Sequence, residues 1–390
     1  MKRPRWILLP IALLLFGLIL QALAASKAKD EVYRKLKLLT EIMEIVKKEY
    51  VEEVDYGKLL DGAIQGMLRS LDPYSSYLSP DMMKELEVET KGSFGGLGIE
   101  IGIKDGVLTV ISPIEDTPAW RAGLKPGDKI LKIDGEPTKG LSLMECVKRL
   151  RGPKGTKVTI TIMREGFSEP KDFTIIRDII KIKSVKSREL EKGYLYVRIV
   201  QFQEQTAADL KAAISSYVQK EEIKGIVLDL RNNPGGLLDQ AVEVSDLFRK
   251  EGLIVSVKAR GGKEIVYEAK PKGTFPDWPL IVLVNHGSAS ASEIVAGALK
   301  QHHRAIIMGT TTFGKGSVQT IIPLEGGAGL RLTTARYFTP LGTSIQDKGI
   351  EPDIRVEEGK AAGGGDPMIQ KALDYLKVLN IYRTYMEGAE

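Results

Sequence analysis

Apolar runs alternate with helical patterns between about residues 181 and 356, and this alternation constrains the fold more than any other feature. The segments Gly225 to Leu230 and Leu280 to Val284 are short, apolar and flanked by turn-forming residues, as buried strands are. In the segments that follow them, from Leu238 and from Ser290, apolar residues recur at helical spacing. Strands that alternate with helices predict an α/β core with a largely parallel central sheet.

The rest of the 390-residue chain predicts a multidomain α/β protein. Residues 26–90 carry apolar side chains at helical spacing and predict an N-terminal helical region. Residues 91–180 contain short strand-like runs separated by turn residues, which predict a small β-rich domain. We expect the α/β core to span residues 181–358, and residues 359–390 to form a glycine-rich linker and a helix.

The two ends of the chain carry separate signals. Residues 1–25 place basic residues before an apolar stretch from Trp6 to Leu23, which predicts a cleaved signal peptide or an uncleaved membrane anchor. Either alternative predicts an exported protein, periplasmic or otherwise extracytoplasmic, which an uncleaved segment would anchor to the inner membrane. The last helix is expected to begin at Asp366 as its N-cap and to end near Leu379.

Composition argues against several classes of function. The 56 basic and 51 acidic residues are interspersed, which is typical of a mixed solvated surface and not of a nucleic-acid interface. The single cysteine, Cys146, lies in an amphipathic pattern and is expected to be a buried apolar group. The three histidines lack the spacing of metal ligands, so we expect no metal and no cofactor.

Ser290 is a candidate nucleophile, since it lies where a predicted strand turns into a helix. At such a corner we expect an exposed hydroxyl beside the free N–H groups of the helix. Lys315, between Gly314 and Gly316, is a candidate base, because the glycines let backbone pack closely and exclude water. A neutral lysine requires its pKa to fall from about 10.4 to near 7, roughly 4–5 kcal/mol.

Further residues complete this candidate site. Gln319 follows Lys315 by four residues, and its uncharged amide can hold a neutral amine without favouring the charged form. His286 is an alternative base, four residues before the serine. The N–H of Ala291 and an amide of the glycine-rich segment 231–236 are candidate donors to an oxyanion, and that segment is equally consistent with a plain turn.

Three segments resemble the signature segments of the carboxyl-terminal processing peptidases, which are serine endopeptidases of the tail-specific type. They are Asp-Leu-Arg-Asn-Asn-Pro-Gly-Gly at 229–236, Gly-Ser-Ala-Ser-Ala-Ser-Glu at 287–293 and Phe-Gly-Lys-Gly-Ser-Val-Gln at 313–319. The resemblance implies that Ser290 is the nucleophile, Lys315 its base and Gln319 the residue that orients the base. It also implies that the amides of Ala291 and Gly236 hold the oxyanion.

The β-rich region resembles a PDZ domain, which this family carries before its core. The segment from Gly92 resembles a carboxylate-binding loop, and the expected binding residues are Phe94, Gly95, Gly96, Leu97, Gly98 and Ile99. The resemblance implies substrates with apolar C-termini, captured by their tails. It also suggests gating of the active site, for which Arg149 and Arg151 are candidates. A second copy of the chain or an adaptor protein is a further candidate partner.

Two other functions compete with a peptidase. Residues 309–316 nearly match a phosphate-binding loop, but Gly316 stands where that loop needs a hydroxyl, and a β-branched run follows it instead of a helix. A nucleotide hydrolase is therefore disfavoured. The other alternative is a non-catalytic envelope scaffold that holds exported proteins by their tails, against which the intact set of Ser290, Lys315 and Gln319 argues.

Overall fold

A computed structural model describes residues 30–271, 273–357, 359 and 365–387. The predicted signal peptide or anchor, residues 1–25, lies outside these described residues. Within them, none of the helices combines the length and apolar character that crossing a bilayer requires. The chain divides into two compact units, one of Met1–Tyr77 with Leu330–Leu332 and the other of Leu78–Gly329 with Thr333–Glu390.

The first unit is helical, as predicted. Residues 30–49 form α1, and α2 spans Tyr56–Arg69. The Asp55 side chain accepts a hydrogen bond from the Lys58 amide at 3.1 Å, which satisfies a free donor at the start of α2. A short strand, β1, follows at Ser76–Leu78, where the two units meet along the chain.

The second unit begins with α3, Pro80–Lys91, and continues into the β-rich domain. The strands and helices of that domain are β2 (Ser93–Gly96), β3 (Ile99–Lys104), β4 (Val107–Pro113), α4 (Pro118–Arg121), β5 (Lys129–Ile133), β6 (Glu136–Pro137), α5 (Leu143–Leu150), β7 (Lys157–Met163), β8 (Lys171–Ile176) and β9 (Asp178–Lys181). The main sheet is antiparallel, in the order β3-β4-β5-β7-β8, with β6 paired to β5. The strand β2 pairs separately with β9.

The β-rich domain has its own hydrophobic core. Leu97, Ile130 and Ile160 belong to it, together with Cys146 of α5, which is 1% exposed. The prediction of a buried, apolar cysteine is therefore confirmed. The helix α5 carries Cys146 and Leu150 into this core. Because β3 is the last strand of the main sheet, one of its edges has no partner strand there among the described residues.

The α/β core occupies the rest of the chain. Its elements are β10 (Val185–Glu191), β11 (Tyr194–Ile199), α6 (Thr206–Val218), β12 (Gly225–Asp229), α7 (Leu238–Asp246), β13 (Leu253–Ala259), β14 (Glu264–Glu268), β15 (Leu280–Val284), α8 (Ala291–Gln301), β16 (Ile306–Gly309), β17 (Ser317–Pro323), a 3₁₀ turn (Glu325–Gly327), β18 (Gly329–Phe338), β19 (Ile354–Arg355) and α9 (Pro367–Glu387). The central sheet has the order β10-β11-β12-β15-β16-β19 and is parallel from β11 onward. The predicted, largely parallel sheet is confirmed.

The central sheet is covered on both faces. Every residue of β12 and β15 is buried, as expected for strands of a parallel sheet between helical layers. One face packs against a large core to which α6, α7 and α8 contribute, and Met368, Leu373 and Leu376 of α9 pack against the other.

Two features of the core differ from the prediction. A second sheet, which we did not anticipate, holds β14, β13 and β18 in that order, with β17 paired to β18. The last helix, α9, is capped by Asp366 as expected, with its Oδ1 accepting from the Met368 amide at 3.0 Å. It runs past Leu379 to Glu387, because no glycine or proline interrupts the chain before Gly388.

Candidate active site

Ser290 lies between β15 and α8, at the predicted corner. It has φ +55° and ψ −113°, a conformation that L-residues rarely adopt and that often marks functional turns. The prediction of an exposed hydroxyl is wrong, because the residue is only 6% exposed. The hydroxyl lies 2.9 Å from the phenol oxygen of Tyr337, a residue of β18 for which the sequence offered no signal.

Glu293 joins the backbones of the predicted nucleophile and the predicted base. This carboxylate is fully buried in α8. Its Oε2 accepts from the amides of Ser290 and Lys315, both at 2.8 Å, and its Oε1 accepts from Thr312 Oγ1 at 2.6 Å and the Gly314 amide at 2.7 Å. The Ser-x-x-Glu spacing of a capping box was the available sequence signal for the contact with Ser290. No sequence signal indicated the contacts of Glu293 with residues 312–315.

Lys315 is half-buried in the turn before β17, where its neighbours pack closely against backbone. Gly314 has φ +92°, and a Cβ there would lie 3.1 Å from the Lys348 amide nitrogen. A Cβ on Gly316 would lie 2.6 Å from the Gln346 nitrogen. The expected close approach of backbone around the lysine is therefore confirmed.

Gln319 lies in β17, and its amide has a defined orientation. Its Nε2 donates to Ser317 Oγ at 2.9 Å and to Thr333 Oγ1 at 3.3 Å. Because these two hydroxyl groups take both amide hydrogens, the Oε1 atom is left as the acceptor of this side chain.

The glycine-rich segment 231–236 is bound to the turn that carries Ser290. Asn233 is fully buried, and its carbonyl oxygen accepts from the Ala289 amide at 3.0 Å and from Ser292 Oγ at 2.9 Å. A Cβ on Gly235 would lie 2.8 Å from the Ser290 Cβ. In the described part of the chain, the amides of Gly236 and Ala291 meet no acceptor, so both predicted oxyanion donors are available.

A partly buried network of charged and polar side chains holds Arg231, the first residue of this segment. Arg231 forms hydrogen bonds with Asp229 at 2.6 Å and with Asp366 at 2.7 Å. Burial and the neighbouring Asp229 raise the pKa of Tyr196, whose hydroxyl donates to that carboxylate, to about 12. Burial opposes the ionisation of Asp366, but the Arg231 guanidinium outweighs it and lowers the pKa of this carboxyl. Asp366 thereby links α9 to the glycine-rich segment.

The histidines lie in different surroundings. The exposed ring of His286 lies against Phe313, with ring centroids 5.4 Å apart. His302 caps α8, and its Nε2 is 2.6 Å from the Leu253 carbonyl oxygen. Within the described ranges, no group of three acidic, histidine or cysteine side chains is placed to hold a metal ion.

The expected tail-binding segment is only partly a loop. Phe94, Gly95 and Gly96 belong to β2 and pair with β9, which corrects the prediction of a loop from residue 92. Leu97 is 2% exposed and belongs to the domain core, so it does not line an open pocket as we expected. Gly98 has φ +76° and leads into the free edge of β3, which begins at Ile99. For Leu97 and Gly98, no acceptor of the amide hydrogen exists among the described residues.

The two candidate gating arginines differ in their contacts. Arg151 follows α5, and its guanidinium pairs with Glu85 of α3 at 2.6 Å and lies 4.6 Å from the centre of the Phe94 ring. Arg149 is exposed, and its carbonyl oxygen accepts from Arg177 at 2.9 Å. Arg151 is therefore the one whose side chain joins two elements.

Three family models match the chain in order along its length. They are the activating protease CtpB N-terminal domain over residues 20–82, a PDZ domain over 85–163 and peptidase family S41 over 193–356. A carboxy-terminal-processing protease of Bartonella bacilliformis is 52% identical over 334 residues, 85% of this chain and 77% of that protein. The chain belongs to peptidase family S41.

This S41 peptidase is similar to further relatives. The carboxy-terminal processing protease CtpA of Bacillus subtilis is 39% identical over 89% of this chain and 74% of that protein. The solved structure of a photosystem II D1 C-terminal processing protease is 31% identical, covering 82% of this chain and 92% of that one with a TM-score of 0.48. The protein is thus a serine-type peptidase of the carboxy-terminal processing group, with a PDZ domain.

Proposed function

We propose that this S41 peptidase is an exported serine endopeptidase that cleaves proteins selected by their apolar C-terminal tails. Ser290 attacks the scissile carbonyl, Lys315 takes its proton, and Gln319 orients the lysine amine. The observation that carries the proposal is the Glu293 carboxylate, which accepts hydrogen bonds from the amides of both Ser290 and Lys315. A nucleophile and its base need such a fixed relation.

The orientation of Gln319 supports its proposed role. Ser317 and Thr333 take its amide hydrogens, which leaves its carbonyl oxygen as the acceptor that we assign to the Lys315 amine. A neutral acceptor holds Lys315 without the preference for a charged ammonium that a carboxylate would add. The lysine lone pair then remains available for the Ser290 proton.

The oxyanion of the tetrahedral intermediate is assigned to the amides of Ala291 and Gly236. The close packing of Gly235 against the Ser290 Cβ supports this assignment, because it brings the glycine-rich segment beside the nucleophile. Each such donor contributes about 10²–10³ in rate when it is aimed at the developing charge. Lys315 returns its proton to the leaving amine and then activates the water that releases the acyl group.

Substrate selection is assigned to the PDZ domain. The amides of Leu97 and Gly98 are candidates for gripping a terminal carboxylate, and Gly96 directly precedes them at the end of β2. The free edge of β3, from Ile99, can add an extended tail as a further strand. Main-chain hydrogen bonds then give affinity, and the half-buried side chains of Phe94 and Ile99 are the candidates for the preference for an apolar last residue.

We further propose that Arg151 transmits tail binding to the active site through α3. It contacts both Phe94 and Glu85, while the C-terminal end of α3 contacts the core through a hydrogen bond from the Glu204 amide to the Thr90 carbonyl at 3.0 Å. The nearby Phe202 donates to the Gly235 carbonyl of the glycine-rich segment and accepts from the amide of Leu237, which follows that segment, both at 2.9 Å. These contacts connect elements that lie between the two sites and are the proposed route of coupling.

Cleavage by the purified full-length chain tests the proposal. An unfolded protein ending in apolar residues should be cut faster than the same protein ending in charged residues, and Ser290→Ala should bind the apolar tail without cutting it. Arg151→Ala should reduce the advantage of the apolar tail, with Arg149→Ala as the matched control. Binding without cleavage by the wild-type chain would favour a scaffold, and equal rates on both substrates would remove tail selection.

A further inference from the structure

A buried tyrosine contacts the predicted nucleophile directly. The phenol oxygen of Tyr337 is 2.9 Å from Ser290 Oγ, and the two residues are 5% and 6% exposed. Bulk water has little access to this pair, so the hydrogen bond acts in surroundings where it is stronger than in water. The proposed reaction of Ser290, Lys315 and Gln319 does not use this contact.

Tyr337 is held from its backbone as well. Its residue pairs with Val257 of β13, and its ring belongs to the large core of the α/β domain. Its amide donates to the Gly316 carbonyl at 2.8 Å, next to Lys315. One residue therefore contacts the nucleophile with its side chain and the base-bearing segment with its backbone.

The chemistry of the phenol limits what it can do. Burial raises the pKa of Tyr337, the hydrogen bond with Ser290 lowers it in part, and the charge of Glu293 raises it further. The group therefore stays a neutral phenol, which has one hydrogen to donate and is not a base. If it donates that hydrogen to Ser290 Oγ, the serine must direct its own hydrogen to another acceptor.

We propose that Tyr337 is a catalytic residue whose phenol donates a hydrogen bond to Ser290 Oγ. The inference rests on the proposed function. The phenol turns the serine hydrogen toward Lys315 and stabilises the serine oxygen while negative charge develops on it. In the step itself the Oγ–H bond breaks, the proton passes to the lysine amine, Oγ bonds to the substrate carbonyl carbon, and Tyr337 keeps its proton.

The test is Tyr337→Phe, which removes one oxygen atom. We measure the rate of Ser290 labelling by a fluorophosphonate, which needs no tail recognition, and kcat and KM on a protein with an apolar tail. Labelling rate and kcat should each fall about 10- to 100-fold, as expected for a lost hydrogen bond to a charged group, while KM stays unchanged. A KM effect alone, or rates equal to or above wild type, would overturn the proposal.

Tyr217→Phe is the matched control. Its hydroxyl accepts from the Gly193 amide at 3.0 Å and donates to Glu189 at 2.7 Å, so its loss also removes hydrogen bonds of a core-domain tyrosine. This variant should label and cleave at the wild-type rate. If Tyr337→Phe lowers the melting temperature more than the control does, p-aminophenylalanine at position 337 decides, because it keeps the ring and a donor. It should recover part of the labelling rate, and no recovery would contradict the proposal.

The outcomes separate this inference from the proposed function. A wild-type chain that labels and cleaves, with an inert Ser290→Ala, supports the peptidase mechanism whatever Tyr337→Phe does. Should wild type itself neither label nor cleave, both proposals fail together. If wild type is active and Tyr337→Phe labels and cleaves at the wild-type rate, only the proposed role of Tyr337 is refuted.

Discussion

In two glycine-rich segments of this peptidase, amide groups meet no acceptor among the described residues: those of Leu97 and Gly98 in the PDZ segment 96–98, and that of Gly236 in the core segment 231–236. The surroundings of the two segments differ. The core segment is held by buried side chains, since Asn233 binds the Ile199 carbonyl at 2.9 Å and accepts from the Gly235 amide at 2.9 Å. The PDZ segment is held by the apolar side chain of Leu97, which packs in the core of the domain, and by its carbonyls, with that of Leu97 accepting from the Ala119 amide at 2.9 Å.

The difference matches what each site is proposed to do. An oxyanion donor must point at one developing charge, so that a small displacement costs rate, and buried polar contacts hold it in place. A tail-binding edge must accept many sequences, which main-chain hydrogen bonds along a free strand allow. The polar contacts that hold the core segment therefore suit an oxyanion donor, and the free edge of β3 suits the binding of varied tails.

The largest effect is expected from removing the groups that react. Ser290→Ala and Lys315→Ala should each lower kcat by about 10⁴-fold or more, because neither the remaining base nor the remaining nucleophile works alone. Both variants should still bind an apolar tail, so that tail binding by the PDZ domain can be measured without cleavage. Circular dichroism checks the fold, and substantial cleavage by either variant would refute the assignment.

The second-largest effect is expected from the loss of the buried Glu293 carboxylate, which should lower both stability and activity. Glu293→Gln places an NH₂ group against amides that need an acceptor, and two unsatisfied buried donors cost about 2–6 kcal/mol of unfolding free energy. Urea denaturation measures the loss, and peptide cleavage should fall with it. The exposed Glu251→Gln is the control. If the two variants proved equally stable, the idea that a buried polar contact holds this site would be wrong.

The PDZ segment should respond to a change that leaves the core alone. A Cβ at Gly98 would collide with Thr117 and also require a left-handed backbone, at about 1–2 kcal/mol. Gly98→Ala should weaken tail binding about tenfold or more, measured by fluorescence anisotropy, and leave labelling of Ser290 unchanged. Gly106 also has a left-handed backbone, with φ +75°, but a Cβ there would meet open space, so Gly106→Ala is the matched control. Equal effects of the two substitutions would argue against a role of this segment in binding.

Gln319→Ala should have an intermediate effect on the core site. It removes one neutral hydrogen-bond acceptor from the lysine, and kcat should fall about 3- to 10-fold with tail binding unchanged. Steady-state kinetics measure this. Unaltered turnover would remove the orienting role.

The smallest effect is expected at the link between α9 and the glycine-rich segment 231–236. Since the pKa of Asp366 is lowered, its contribution to stability is present at neutral pH and is lost as the pH falls below about 4, through its folded value. Asp366→Asn should cost roughly 1 kcal/mol or less, because this side chain is 36% exposed, and should reduce that acid dependence. Urea unfolding between pH 6 and pH 3 measures both, with Asp374→Asn as control. An unchanged acid dependence would show that the pair is not a stabilising link.

Local sequence patterns predicted most of the elements that carry the site. The apolar run before Ser290 and the helical spacing after it were sufficient to place β15, the turn and α8, since periodicity of side chains is a local property. The glycines around Lys315 likewise indicated close backbone packing. The unanticipated second sheet was harder, because β13 and β18 pair across a long stretch of chain.

The chain by itself therefore determined the strand–helix alternation, the serine corner, the lysine turn and the resemblance that joined them. Only the tertiary structure decided which groups meet there. Tyr337 lies 47 residues from Ser290, and Glu293 accepts from amides 21 and 22 residues away. Such contacts arise from the packing of whole elements, and no local period in a sequence encodes the partner that a buried hydroxyl or carboxylate will find.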